Sequence, residues 1–483
     1  MVIDKIVNTF MNLLTLTMKK LLLLIRISPI ILLLIGVLTI VLWFRAGANR
    51  ALKERVPGTD AVVESGSEIK LSAVLRGKLT KIGGMSVEMP GEWPRFRGEN
   101  FDGIYNNDNI RLARRWGAGQ PKITWGIDVG EGYAGAAVYK GRVYLLDYDA
   151  KSQMDVLRCI DLSTGSDIWR YSYPVKVKRN HGMSRTVPAV TDKYVISIGP
   201  KCHVLCLDSV TGEFRWGIDL VRDFNTMVPE WYAGQCPLIE GDRTIIAPGG
   251  YALMIAVDNA TGKALWKTPN PNNWNMTHSS IMPMDFNGKR MYIYCASGGV
   301  VGVSALDGSI LWETSEWKIG IATVPSPVII GKDKIFLSGG YNAGCIMLQL
   351  RVSAGKIQAR TLFRLKPDVF GSDQQTPIVY KNHIYGVRPD GQLTCLDFNG
   401  KVVWTSGAAN RFGLGPYMVA NGLIYVMDDN GLLRMAEATS DGYKELSQAQ
   451  VLKGHDSWGP MAIADGKLIL RDLTRIVCLD ITG

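Results

Sequence analysis

The feature that most constrains the fold is a phrase that recurs about every 40 to 50 residues. Each full copy joins a short apolar run, the pattern Asp-x-x-Thr-Gly and a large aromatic residue, usually tryptophan. The repeat tryptophans are Trp125, Trp169, Trp216, Trp266, Trp312 and Trp404. Repeats of this length, built from short alternating apolar runs, are typical of β-propeller blades. The spacing therefore predicts a ring of blades.

One repeat shows the predicted content of a blade. Residues 186–190, 194–199, 203–209 and 215–220 form four short apolar runs separated by turn residues, which predicts four antiparallel strands. The pattern Asp-x-x-Thr-Gly between the third and fourth runs is typical of a tight turn, because glycine adopts a left-handed conformation without steric cost. The tryptophan then falls on the outermost strand, where its ring can pack between neighbouring blades.

The two ends of the repeat region predict how the ring closes. Innermost strands are predicted to begin near Ala136, Pro188, Pro237, Pro283, Pro327, Pro377, Pro416 and Pro460, which makes eight blades. The last copy, "RIVCLDITG", ends at Gly483 without its tryptophan, whereas "ITWGIDVG" near Trp125 has no blade before it. We predict that the strand of Trp125 pairs beside Cys478 and completes the last blade, which leaves no open edge. The predicted class is all-β, an eight-bladed propeller of four-stranded antiparallel blades.

An apolar segment precedes the propeller. Residues 27–44 carry no charge, and 18 helical residues at about 1.5 Å each nearly cross a hydrocarbon core of roughly 30 Å. We expect a transmembrane signal-anchor helix over residues 19–45, after a cytoplasmic or interfacial segment 1–18. A cleavable secretory signal with "AGA" at 46–48 as its cleavage site is the alternative. Residues 46–92 are predicted to be a spacer and residues 93–483 the propeller. We expect "WPRFRG", residues 93–98, to pack near the closure seam.

The positive charge lies mostly around the apolar segment. Of the formal net charge of +10, residues 1–56 carry eight basic and two acidic side chains, so the remainder carries only +4. This distribution does not favour nucleic-acid binding. Basic residues flank the segment on both sides, so the positive-inside rule does not orient it.

The cysteines and glycine-rich segments favour structural roles. Eight cysteines are spread singly, and four of them occupy the same small strand position of the repeat, which is typical of buried thiols. "GGYNAGC" and "SGGVVG" lie between predicted strands, with no helix after them to bind a phosphate, and are interpreted as hairpin turns. His278 and His455 fall in blades on opposite sides of the ring, too far apart to share a metal ion. The sequence therefore predicts no metal site.

Polar and aromatic residues concentrate just before the innermost strands. In a propeller these segments surround one mouth of the central channel, so they can form a concave binding site. Solvated loops and contacts between blades are the alternative interpretation. The candidate ligand-binding residues are His181, Arg185, Glu230, Trp231, Gln235, His278, Asp373, Gln374, Gln375, His455 and Trp458.

Several phrases carry a family resemblance. "EWPRFRGENFDGIYNN", "CLDSVTGEFRW" and "GDRTIIAPGG" resemble the quinoprotein-like, or PQQ-like, eight-bladed β-propeller family over roughly residues 92–483. That family includes pyrroloquinoline-quinone (PQQ) alcohol dehydrogenases, the lipoprotein of the outer-membrane β-barrel assembly machine and many bacterial secreted or membrane-anchored propellers. The chain is most similar to the last group. The resemblance implies a propeller in the periplasm, held by a single span in a bacterial inner membrane.

The resemblance also defines what a dehydrogenase would need. Its quinone lies between a tryptophan and a disulfide of adjacent cysteines, and carboxylates and an amide hold a calcium ion. This sequence has no adjacent cysteine pair and no Cys-x-x-Cys-His haem attachment motif. We therefore expect neither PQQ nor calcium, and a non-catalytic protein-binding scaffold or envelope complex subunit with protein partners. A PQQ-dependent or other redox enzyme with a divergent site is the alternative.

Overall fold

The computed structural model describes residues 28–29, 32–42, 75–83, 88–118 and 121–483. The chain divides into two compact units, residues 1–56 and 57–483. In the first unit residues 32–42 are helical and exposed. Among the described residues no helix has both the length and the apolar character needed to cross a bilayer. Most of the predicted span 19–45, all of segment 1–18 and much of the predicted spacer lie outside the described residues.

The described part of the second unit contains the eight predicted blades, each with four antiparallel strands, which are consecutive in the chain in blades 1 to 7. Blade 1 contains β4 (Ala136–Tyr139), β5 (Arg142–Asp149), β6 (Met154–Asp161) and β7 (Asp167–Pro174). Blade 2 contains β8 (Ala189–Val190), β9 (Tyr194–Ile198), β10 (His203–Asp208) and β11 (Phe214–Asp219), followed by a short helix, Leu220–Phe224. Blade 3 contains β12 (Leu238–Glu240), β13 (Arg243–Ile246), β14 (Met254–Asp258) and β15 (Ala264–Thr268). Blade 4 contains β16 (Met282–Phe286), β17 (Lys289–Ala296), β18 (Gly299–Ser304) and β19 (Ile310–Thr314).

The second half repeats the same order from the innermost to the outermost strand. Blade 5 contains β20 (Val328–Ile330), β21 (Lys334–Gly339), β22 (Gly344–Ser353) and β23 (Lys356–Leu365). Blade 6 contains β24 (Ile378–Tyr380), β25 (His383–Val387), β26 (Leu393–Leu396) and β27 (Val402–Thr405). Blade 7 contains β28 (Tyr417–Ala420), β29 (Leu423–Met427), β30 (Leu432–Glu437) and β31 (Glu445–Gln450). Blade 8 contains β32 (Ala462–Ala464), β33 (Lys467–Arg471) and β34 (Arg475–Asp480), and its fourth strand is β3 (Lys122–Asp128).

Ring closure follows the predicted register. Strand β3 pairs antiparallel with β34, and Trp125 lies opposite Cys478. The last blade thus receives its outermost strand from residues some 350 positions earlier in the chain. The predicted eight-bladed architecture and its closure by an N-terminal strand are confirmed.

Repeat tryptophans join several neighbouring blades through one recurring contact. The Trp125 indole donates a hydrogen bond of 2.7 Å to the carbonyl of Leu162, in the turn of blade 1. Gly165 ends that turn at φ +74°, and a Cβ added there would lie 2.8 Å from the Trp125 ring. Glycine is therefore required twice, by the backbone conformation and by the close approach of the ring. Trp169 and Gly212 repeat this arrangement between blades 1 and 2.

Two further strands extend blades beyond four. Strand β1 (Lys78–Lys81), within the range predicted as spacer, pairs with the outermost strand β7 of blade 1. Strand β2 (Ile104–Tyr105) pairs in parallel with β28, the innermost strand of blade 7. The chain that precedes the first blade therefore contacts the ring at two places, on its outside through β1 and within its channel through β2.

Candidate functional site

A segment before the first blade crosses one end of the central channel. We call residues 93–105 the channel strap. Trp93 pairs with Val138 of blade 1, and Ile104 pairs with Val419 of blade 7. Trp93 packs near the closure seam, as expected for "WPRFRG", and the rest of the strap runs on across the channel. The inner strands explain this path, because their inward edges present backbone groups that the strap can pair.

Arg97 fixes the middle of the strap. Its guanidinium donates hydrogen bonds to four backbone carbonyls: those of Phe101 and Asp102 in the strap, and those of Thr376 and Pro377 in blade 6. The side chain is buried, and burial lowers the pKa of Arg97 to about 10. The strap is therefore tied to a blade far from its entry point at blade 1.

With one end covered, the channel becomes a cavity of about 590 Å³ that we call the cup. The strap contributes Trp93, Phe96 and Arg97 to its lining. Its rim consists of loops before the innermost strands and of one hairpin turn in blade 5. The rim and upper wall include Tyr133, His181, Arg185, Trp231, His278, Tyr341, Asp373, Gln374, Gln375 and Trp458.

Aromatic pairs form two sides of the rim. Trp231 and Tyr341 stack with ring centroids 6.3 Å apart and an interplanar angle of 7°. Tyr133 and Trp458 stack at 5.2 Å with an angle of 29°. Trp231 and Tyr232 are consecutive residues at φ +59° and +74°, a conformation that costs about 1–3 kcal/mol for each such non-glycine residue. The fold therefore holds Trp231 in place against local strain.

Arg185 holds this strained turn. Its Nε donates to the carbonyl of Trp231, and its Nη2 donates to the carbonyls of Asn180 and His181. The guanidinium also lies 5.1 Å from the centroid of the Tyr133 ring. Burial lowers the pKa of Arg185 to about 10, so the side chain remains charged at neutral pH.

Burial also shifts the pKa values of two other side chains in the cup lining, His278 and Asp373. His278 is 8 % exposed, and burial, followed by the charge of Arg185, lowers its pKa to about 4. Its imidazole is therefore neutral at pH 7. Burial also raises the pKa of Asp373 above the usual aspartate value.

The structure brings together eight of the eleven predicted site residues. Those that line the cup are His181, Arg185, Trp231, His278, Asp373, Gln374, Gln375 and Trp458. Glu230, Gln235 and His455 are not among the cup-lining residues. Gln235 is fully buried and bonds both backbone groups of Ala247, so it supports the loop. The role of all eleven residues in ligand binding stays a prediction.

Sequence reasoning missed Tyr133, Tyr341 and the strap residues. Tyr341 lies in "GGYNAGC", which does form the hairpin turn between β21 and β22. The turn between the second and third strands of a blade lies on the same face as the loop before the first strand. An aromatic residue in such a turn is the signal that could have identified Tyr341.

The cup residues do not fit a quinone held by a disulfide and calcium. All eight cysteines are free and buried, and burial raises the pKa of Cys236, the one in the cup lining, to about 11. Among the described residues that line the cup, Asp373 is the only carboxylate. Within the described residues there is no group of three or more histidine, cysteine or acidic side chains suited to a metal ion. A hard cation such as calcium needs about six to eight oxygen ligands.

The fold and cup define an eight-bladed propeller of the quinoprotein-like class. The sequence profile of the family described as outer membrane protein assembly factor BamB matches residues 152–405, more than half of the chain. The chain belongs to this family.

Individual relatives agree with this assignment. The chain is 24% identical over 276 residues to the outer membrane protein assembly factor BamB of Moranella endobia (strain PCIT), covering 54% of this chain and 67% of the relative. BamB from Moraxella catarrhalis superposes with a TM-score of 0.53 at 14% identity, covering 74% of this chain and 99% of that one. The quinohemoprotein alcohol dehydrogenase from Comamonas testosteroni gives a TM-score of 0.58 at 13% identity, covering 81% of each chain. At such low identities the two structural matches establish the shared fold alone.

Proposed function

We propose that this protein is a non-catalytic, membrane-tethered propeller of the bacterial periplasm that binds a protein partner through the rim of its cup. The observation that carries the proposal is the cup itself. A cavity closed at one end by the strap and rimmed by stacked aromatic side chains is suited to receive part of a partner. Aromatic and arginine side chains are enriched at such binding centres.

Two further observations support a binding role. Relatives from the same family carry the name outer membrane protein assembly factor, which describes a role in assembly. The cup residues do not fit the quinone and calcium apparatus of the dehydrogenases that share the fold. Together they favour an envelope complex subunit over the redox enzyme that is the alternative.

The proposed tether rests on the sequence. Residues 27–44 are apolar and long enough to nearly span a bilayer, with basic residues on both sides. We assign residues 19–45 as a single inner-membrane span, residues 46–92 mainly as a spacer and residues 93–483 as the periplasmic propeller. Extraction of the protein from washed membranes only by detergent would support the tether, and release by high salt or carbonate would contradict it.

The binding role is tested by purifying the full-length chain from bacterial membranes in mild detergent. Mass spectrometry should identify a stoichiometric protein partner. Trp231→Ala should lose that partner, whereas substitution of the exposed Leu306, which is 87% exposed and lies outside the cup, should retain it. A lone monomer would contradict the scaffold. Dye-linked alcohol oxidation after addition of PQQ and calcium would establish the redox alternative instead.

A further inference from the structure

The cup contains two opposite charges that do not pair with each other. Arg185 donates to backbone carbonyls, and no carboxylate within the described residues forms an ion pair with it. Asp373 has neither a hydrogen bond nor an ion pair in that part of the chain. Charges removed from water without a partner are unfavourable. Each group can therefore be stabilised by a ligand of the opposite charge.

An aromatic surface lies between these charges. Asp373 lies against the turn that carries Tyr341, because a Cβ added at the neighbouring Gly340 would lie 2.6 Å from the Asp373 Oδ1. Burial, Asp373 and Glu230 raise the pKa of Tyr341, and Arg185 opposes this rise. The Tyr341 ring is stacked parallel to Trp231, whose carbonyl is bonded to Arg185. A ligand lying across these rings would thus meet a cationic group at one end and an anionic group at the other.

His278 adds a neutral hydrogen-bonding group to the same wall. Its ring centroid lies 6.3 Å from that of Trp231. The side chain is buried and lines the cup. Its ring nitrogens make no hydrogen bond of normal geometry within the described residues, but backbone groups of Glu230 and Tyr232 interact with the ring and favour its charged form. A buried polar group without a well-formed hydrogen bond is rare in folded proteins. It can serve a ligand as donor and acceptor.

We propose that the cup binds a short peptide with free termini, its ammonium group at Asp373, its carboxylate at Arg185 and an apolar side chain against Trp231 and Tyr341. His278 then bonds a backbone amide of the peptide. The cup volume of about 590 Å³ lies within the ~300–1,000 Å³ typical of small-ligand sites. The assignment rests on the proposed binding role of the cup, and is independent of the tether and of any stable protein partner.

Calorimetric titration of the detergent-solubilised full-length protein tests this assignment. The probes are the tripeptide alanyl-alanyl-phenylalanine, its N-acetyl and C-amide forms, and free phenylalanine. We expect the free tripeptide to bind with a Kd below about 1 mM, and each terminal cap to weaken binding about tenfold or more. Asp373→Asn should weaken the free tripeptide to a similar extent, and acetylation should then have almost no further effect. Asp368→Asn, an exposed carboxylate five residues earlier, is the matched control and should bind as the parent does.

Specific results would overturn the assignment. Equal binding of capped and free tripeptides, no detectable heat at millimolar peptide, or an undiminished effect of acetylation in Asp373→Asn would each do so. Binding of free phenylalanine as tight as that of the tripeptide would exclude a peptide. A stoichiometric partner in the membrane purification with no tripeptide binding would leave the scaffold role intact and remove the peptide site. Tripeptide binding without a stoichiometric partner in the membrane purification would contradict the scaffold role and leave the peptide site intact.

Discussion

Removal of the Trp125 ring tests the closure of the propeller directly. Trp125 is 7% exposed, and Trp→Ala changes at buried sites cost about 3–5 kcal/mol. The substitution also leaves the carbonyl of Leu162 without its donor, which adds ~1–3 kcal/mol if water does not reach it. We expect Trp125→Ala to lower the free energy of unfolding by about 4–8 kcal/mol, a large part of the ~5–15 kcal/mol of a typical domain.

Urea unfolding followed by circular dichroism measures this loss. Trp125→Phe keeps most of the ring and removes only the N–H donor, so it should cost ~1–3 kcal/mol. Ile123→Ala, on the same strand but 47% exposed, is the matched control and should change stability by less than about 0.5 kcal/mol. A cost for Trp125→Ala no larger than that for Ile123→Ala would refute the account of ring closure.

Three further perturbations examine the strap, a buried acid and a turn. Arg97→Met leaves four carbonyls without their donor, so urea unfolding should show a loss of about 3 kcal/mol or more, and trypsin should cleave near the strap sooner. Burial raises the pKa of Asp155 to about 7, so the folded state keeps a proton that the unfolded chain releases from about pH 4 upwards. This group therefore lowers the free energy of unfolding as the pH rises from 4 to 7. Relative to the parent, Asp155→Asn should gain up to about 4 kcal/mol of unfolding free energy across that window, whereas Asp149→Asn should gain none. Gly212→Ala adds a Cβ 2.6 Å from the Trp169 ring at φ +74°, and calorimetry should show a lower Tm from a loss of roughly 2 kcal/mol. Unchanged values in any of these measurements would contradict the corresponding contact.

The ring could be predicted from sequence because its contacts are encoded in short, repeated segments. In blades 1 to 4 the glycine of the turn lies against the tryptophan of the preceding blade, so one phrase determines both a strand and its contact with a neighbouring blade. The missing tryptophan of the final copy then identified Trp125 as its replacement. The alternation of apolar and polar residues along the sequence predicted the strands and their order without any knowledge of tertiary structure.

The cup could be predicted only in part. Loops before innermost strands share one face by topology, which brought His278, Asp373 and Trp458 together in the prediction. The path of the strap has no periodic signal, because it depends on the carbonyls of Thr376 and Pro377, nearly 280 residues beyond Arg97. A charge pattern alone cannot indicate which distant backbone groups will accept from a buried guanidinium.

Closure of the ring and closure of the cup depend on the same stretch of chain. Residues 93–105 cover the channel, and residues 122–128 complete blade 8, so both contacts require the C-terminal blades to be in place. Arg97 cannot reach its acceptors in blade 6, nor Ile104 its partner in blade 7, until most of the ring exists. Contacts at such sequence separation carry a large loop-closure cost and form late. A ligand that binds the closed cup therefore stabilises the ring as a whole, because it binds only a state in which the two ends have already met.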